Sequence, residues 1–153
     1  MATVYSVGRT NNRATPTVMN PVNKHKGRIR VMHDVYEASS LASGDVIEMF
    51  IMPNNARLLE GSLAHDALGS STTLSVGYAE HKNAAGTTVS ASAAAYKAAA
   101  ASTSAQKVDI LATLALGSGT TIDANGDGMP VTVTMGGAAG TGTIELTIKY
   151  VLD

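Results

Sequence analysis

Near the C-terminus apolar and polar positions alternate with a period of two. Ile144, Leu146, Ile148, Tyr150 and Leu152 fall on one side, and Glu145, Thr147 and Lys149 on the other. That period marks a strand with one face buried and one solvated. It recurs along the chain. Ile29, Val31, His33 and Val35 share a face. So do Leu74, Val76 and Tyr78 within a segment running from Thr72 to Tyr78. Val131-Thr132-Val133-Thr134-Met135 alternates cleanly, and Val108, Ile110, Ala112 and Leu114 alternate with Asp109, Leu111 and Thr113. Asp45 to Met52 is too apolar for alternation and reads as a central strand, followed by a further strand over Arg57 to Asp66. Between these runs lie turn-forming clusters: Ser39 to Gly44, Pro53 to Ala56, a Gly/Asp/Asn loop over 117–130 around a short strand at 120–122, and Gly136 to Gly142. Turns every 8–12 residues and no βαβ rhythm predict an all-β fold. Its form is an antiparallel β-sandwich or jelly roll of about eight strands.

Two segments depart from this rhythm. Residues 79–107 are alanine-rich, with Ala93-Ala94-Ala95-Tyr96-Lys97-Ala98-Ala99-Ala100-Ala101 at the centre. Alanine is the best helix former, so one short helix is expected over about 92–101, with a loop as the competing reading. Residues 1–27 have no apolar period and contain Pro16 and Pro21. They read as an extended N-terminal arm, opening with a short strand at Val4 to Val7, that orders on a neighbour or on its own body. The expected division is an arm over 1–27 and a β-sandwich domain over 28–153. Fully extended, such an arm spans at most roughly 90 Å.

Composition narrows the chemistry. The 153 residues contain no cysteine, which excludes disulfides, thiolate metal sites and cysteine nucleophiles. One Phe and no Trp leave the core to Val, Ile, Leu, Met and Ala. The N-terminus lacks a basic stretch followed by an apolar one, and no apolar run reaches the roughly 18 residues needed to cross a bilayer. A protein made in a cytoplasm, without a membrane partner, is the expectation.

Charge is unevenly spread. Residues 1–30 carry Arg9, Arg13, Lys24, Lys26, Arg28 and Arg30 and no acid. The rest carries twelve acids and five bases, a net charge of −7. A basic arm on an acidic body suits an acidic partner surface. Nucleic acid fits less well, because the arm offers only Tyr5 for stacking and the body repels phosphate.

No catalytic, metal or cofactor constellation emerges. Asp123-Ala124-Asn125-Gly126-Asp127-Gly128 resembles the front of a calcium loop, but Thr134 stands where the closing Glu is required. A turn rich in Asp, Asn and Gly accounts for the same residues. His25, His33, His65 and His81 form none of the spaced pairs that ligate zinc. Ser104 and Lys107 match Ser-x-x-Lys without the companion motifs of that chemistry. The Gly136–Gly142 cluster opens a strand, whereas a nucleotide loop would open a helix. No enzyme activity and no cofactor are expected.

The run Gly44-Asp45-Val46-Ile47-Glu48-Met49-Phe50-Ile51-Met52-Pro53-Asn54-Asn55-Ala56-Arg57-Leu58-Leu59-Glu60-Gly61 adds a family signal. It continues through His65-Asp66-Ala67-Leu68-Gly69 into Thr73 to Tyr78, and the chain closes on a glycine-rich loop followed by Thr143-Ile144-Glu145-Leu146-Thr147-Ile148-Lys149-Tyr150-Val151. Over residues 28–78 and 130–153 this resembles the head decoration (cement) proteins of tailed bacteriophages. The resemblance implies a small β-rich virion protein that binds the capsid exterior, bridges capsomers and associates with copies of itself as a dimer or trimer. Its partner would be the major capsid protein. Arg9, Arg13, Lys24 and Lys26 are the candidate contacts, from the charge pattern. The alternatives are a carbohydrate-binding jelly-roll module of a tail fibre, for which Tyr36, Tyr78 and Tyr96 are the available stacking residues, and another tail or neck component.

Overall fold

The computed structural model describes residues 4–22, 24–25 and 27–152. Ten strands follow one another: β1 (Ile29–Leu41), β2 (Val46–Met52), β3 (Arg57–His65), β4 (Thr72–Tyr78), β5 (His81–Lys82), β6 (Thr88–Val89), β7 (Ser92–Ala101), β8 (Gln106–Ile110), β9 (Met129–Gly137) and β10 (Gly140–Val151). Eight of them form two four-stranded sheets, ordered β1-β10-β3-β8 and β2-β9-β4-β7. The small β5–β6 hairpin stands apart. All pairings are antiparallel, and successive long strands alternate between the sheets except where β4 and β7, joined through the β5–β6 hairpin, pair within one sheet, which is the jelly-roll winding.

The core lies between the sheets and is aliphatic, as the composition requires. Leu58 and Leu63 of β3, Leu74 and Val76 of β4, Val131, Val133 and Met135 of β9, and Ile144, Leu146 and Ile148 of β10 are fully buried. In β10 the inward and outward sets match the alternation read from the sequence. Burying a side chain of this size stabilises the fold by about 1.5–3 kcal/mol, offset by ordering entropy. The central strands β9, β4, β10 and β3 carry most of that burial.

Several expectations are corrected. The alanine-rich segment is strand β7, not a helix. Helix propensity yields here to tertiary packing, because Tyr96 anchors the strand in the core and its small neighbours fit against β4. β2 is an edge strand, not a central one. A bulge between Glu48 and Phe50 breaks the pleat, so the alternation is lost without burial on both faces. The strand over Val108 to Leu114 ends at Ile110, where Leu111 turns the chain with a φ of 56°. The strand at 120–122 reduces to one bridge, between Thr121 and Arg57. The glycine-rich loop narrows to Ala138 and Ala139, with Gly137 at a φ of 78° making the turn from one sheet to the other. In the N-terminal segment the short strand is replaced by a helix, α1 (Val7–Arg13).

Candidate interaction surfaces

The basic residues of the N-terminal segment come first. α1 begins at Ser6, whose side chain accepts a hydrogen bond from the Arg9 amide at 3.4 Å. Arg9 and Arg13 are one turn apart and share a helix face. The Arg13 guanidinium lies 4.8 Å from the centre of the Tyr5 ring, a cation–π contact. The chain then folds back. The Asn20 amide donates to Gly8 O at 3.1 Å and to Asn12 Oδ1 at 2.8 Å, while its carbonyl accepts from Asn11 Nδ2 at 2.9 Å. This amide network holds the return segment against the helix, so these residues are not extended and reach less far than a straight chain. Arg9, Arg13 and Lys24 are exposed, and Lys26 lies outside the described residues. Val4, Val7, Met19 and Val22 are exposed beside them.

The outer face of the β1-β10-β3-β8 sheet is ordered by register. Val31, Lys149 and Glu60 stand in one row. His33, Thr147, Ser62 and Asp109 form the next, and Val35, Glu145, Ala64 and Lys107 a third. Lys149 pairs with Glu60, and His33 Nδ1 lies 3.0 Å from Thr147 Oγ1 and 3.7 Å from Glu145. The face is therefore apolar along β1 and mixed in charge beyond it. The outer face of the other sheet is quieter. Thr134 and Ser75 share a row with Val46, and Thr132 and Gly77 with Glu48. It is mainly hydroxyls and glycine, and Ser75, Gly77 and Thr132 are buried, so it offers little accessible surface.

The remaining candidates are tied into local structure. Asp123 Oδ1 accepts from the Ala84 amide at 3.0 Å, and Asn125 Oδ1 accepts from the Asp127 amide at 3.1 Å, so both side chains cap turns. Thr134, opposite in the sequence pattern, sits in β9. His65 Nδ1 lies 2.8 Å from Asp66 O, and His81 Nδ1 lies 3.1 Å from Ala79 O with its ring edge-on to Tyr78. Among the described residues no group of three His, Asp or Glu is placed to hold a metal ion. Ser104 lies in the turn before β8, and Lys107 is exposed on β8. Of the tyrosines named for stacking, Tyr96 is buried against Tyr78 with ring centres 5.9 Å apart, and only Tyr36 is exposed. Asp66 is held below the usual carboxylate range, chiefly by the backbone hydrogen bond from Thr143 to its Oδ2 at 3.0 Å. That bond ties the β3 terminus to β10.

Sequence reasoning missed the β1 surface. The four residues Ile29, Val31, His33 and Val35 do share a face, but it points to solvent. The available signal was the neighbouring pair Met32 and Ala38, which supplies the inward positions.

These features define a jelly-roll protein with a basic N-terminal segment and one mixed-charge outer face. Solved structures of similar fold come from phage capsids. A chain of the Ralstonia phage GP4 capsid aligns with a TM-score of 0.62 at 26% identity, covering 88% of this chain and 91% of that one. A chain of the cyanophage Pam1 capsid asymmetric unit aligns with a TM-score of 0.60 at 19% identity, covering 83% and 86%. A chain of the acid-stable capsid of the Helicobacter pylori bacteriophage KHP30 aligns with a TM-score of 0.53 at 13% identity, covering 81% and 87%. No protein-family model and no curated protein matches the sequence. The neighbours agree with the phage-capsid resemblance carried by the sequence motifs.

Proposed function

We propose that this chain is a virion structural protein that decorates and stabilises the outer surface of a phage capsid by bridging capsomers. The observation that carries this reading is the likeness to capsid chains over more than four-fifths of both partners, at 26% identity in the Ralstonia phage case. Physical features support it. The body is two sheets closed over an aliphatic core. The mixed-charge outer face of the β1-β10-β3-β8 sheet suits protein contact. In this reading residues 1–27 act as the attachment arm and residues 28–153 as the body. Arg9, Arg13, Lys24 and Lys26 pair with acidic positions of the major capsid protein. Each exposed pair contributes only about 0–1 kcal/mol, but repetition on a lattice multiplies weak contacts.

The test is charge reversal of all four residues to Glu, followed by binding to purified expanded heads at low and high salt. Binding that weakens strongly at low salt, with a flatter salt dependence than the wild type, supports the arm's role. Unchanged binding at every salt concentration removes it.

A further inference from the structure

β1 is 13 residues long, lies at the end of its sheet and, among the described residues, pairs only with β10. Proteins avoid such edges, because a row of free N–H and C=O groups recruits another strand. Here the edge is also apolar: Ile29 is 64% exposed, Val31 55% and Val35 46%. The Val35 amide is capped by its own neighbour, Asp34 Oδ1, at 2.8 Å. It therefore points away from β10, and in an antiparallel ladder the odd-numbered residues around it do the same.

The strand is also self-complementary. Arg30 lies towards its N-terminal end and Asp34 four residues later, on the same face. We propose that β1 pairs antiparallel with β1 of a second copy, with Met32 on the two-fold axis, joining the two sheets edge to edge. This register sets Arg30 opposite Asp34 of the second copy, twice by symmetry. It sets Ile29 opposite Val35 and Val31 opposite His33, on the outer face. The outward-pointing odd residues become the hydrogen-bonded pairs, about eight new backbone bonds in all. Asp34 exchanges its local amide cap for a guanidinium. A register two residues longer would oppose Ile29 to Glu37 and Met32 to Asp34, and loses the charge match. The two β1 outer faces merge into one apolar patch, an isologous contact of the kind that closes dimers.

The inference concerns the free protein, and its failure would leave the capsid reading standing. The test is sedimentation equilibrium of the full chain. The wild type is expected at twice its 15.6 kDa mass. Arg30→Asp or Asp34→Arg places like charges opposite each other at two symmetric points, and weakens the dimer roughly tenfold or more. The double variant R30D/D34R restores it. Met32→Cys gives the chain a single thiol, at a strand pair where Cα atoms lie about 4.5 Å apart, within disulfide range. Mild oxidation should link two chains through it, and should not link Thr73→Cys on the other sheet. A monomeric wild type, reversals that leave the dimer intact, a double variant that stays weak, or no cross-link through Met32→Cys overturns the proposal.

Discussion

Gly77 reports most sharply on how the alanine-rich strand is packed. A Cβ built on Gly77 would stand 1.8 Å from Ser92 O and 2.7 Å from the Ala93 carbonyl carbon. Both are backbone atoms, so no side chain can rotate away. A Gly77→Ala chain must move the start of β7 off β4 by more than 1 Å, where Tyr78 pairs with Ser92. That loosens one or two ladder bonds, worth about 1 kcal/mol each, and adds the strain of an overfilled site, about 1–3 kcal/mol. A loss of about 3 kcal/mol follows, which for a chain of this length lowers Tm by about 6–12 °C. Gly126 is the control. It has open space around its Cβ position and no positive φ, so Gly126→Ala should leave Tm unchanged or raise it slightly. Calorimetry at matched protein concentration measures both. If residues 92–101 were a helix packed elsewhere, Gly77→Ala would be neutral or mildly stabilising, since glycine is a poor strand residue. A G77A melt within about 2 °C of the wild type would refute the packing described for β7.

Other perturbations follow the same logic. Tyr96 is pushed well above the usual tyrosine range, first by burial and then by the neighbouring Tyr78. Its contribution to stability is therefore complete below about pH 10 and declines as pH rises above that, because the unfolded chain gives up the phenolic proton first. Urea unfolding at pH 9 and pH 11 should show this decline, and Tyr96→Phe should flatten it. A wild-type profile no steeper than that of Y96F would contradict the assignment. Leu63 is fully buried between the sheets, and Leu63→Ala should cost about 3 kcal/mol, read as a lowered urea midpoint with unchanged slope.

The parts of the fold legible in the sequence are those where one face is buried and the pleat is unbroken. β10 meets both conditions; β4 and the centre of β9 keep small or hydroxyl residues at Ser75, Gly77 and Thr132, so the alternation survives burial of both faces and their inward sets are read directly. Bulges hid the rest. In β2 the residues Met49 and Phe50 interrupt the alternation, and in β7 two register shifts leave Tyr96 as the single large inward residue among alanines. Intrinsic propensity then points to a helix that packing forbids. Period alone cannot say which of two sets faces the core, which is how the apolar edge of β1 was passed over. The α1 turn depends on Asn20, at least seven residues downstream of the helix it holds, and no local pattern announces such a tie. The basic arm residues were legible as a charge asymmetry, but their arrangement was not.

The most direct test of the central claim is co-sedimentation of the purified chain with empty, expanded phage heads lacking any bound copy. The account predicts saturable binding at a fixed number of copies per head, and heads that withstand more heat or chelation once loaded. A chain that stays in the supernatant at every concentration, leaving head stability unchanged, would contradict it.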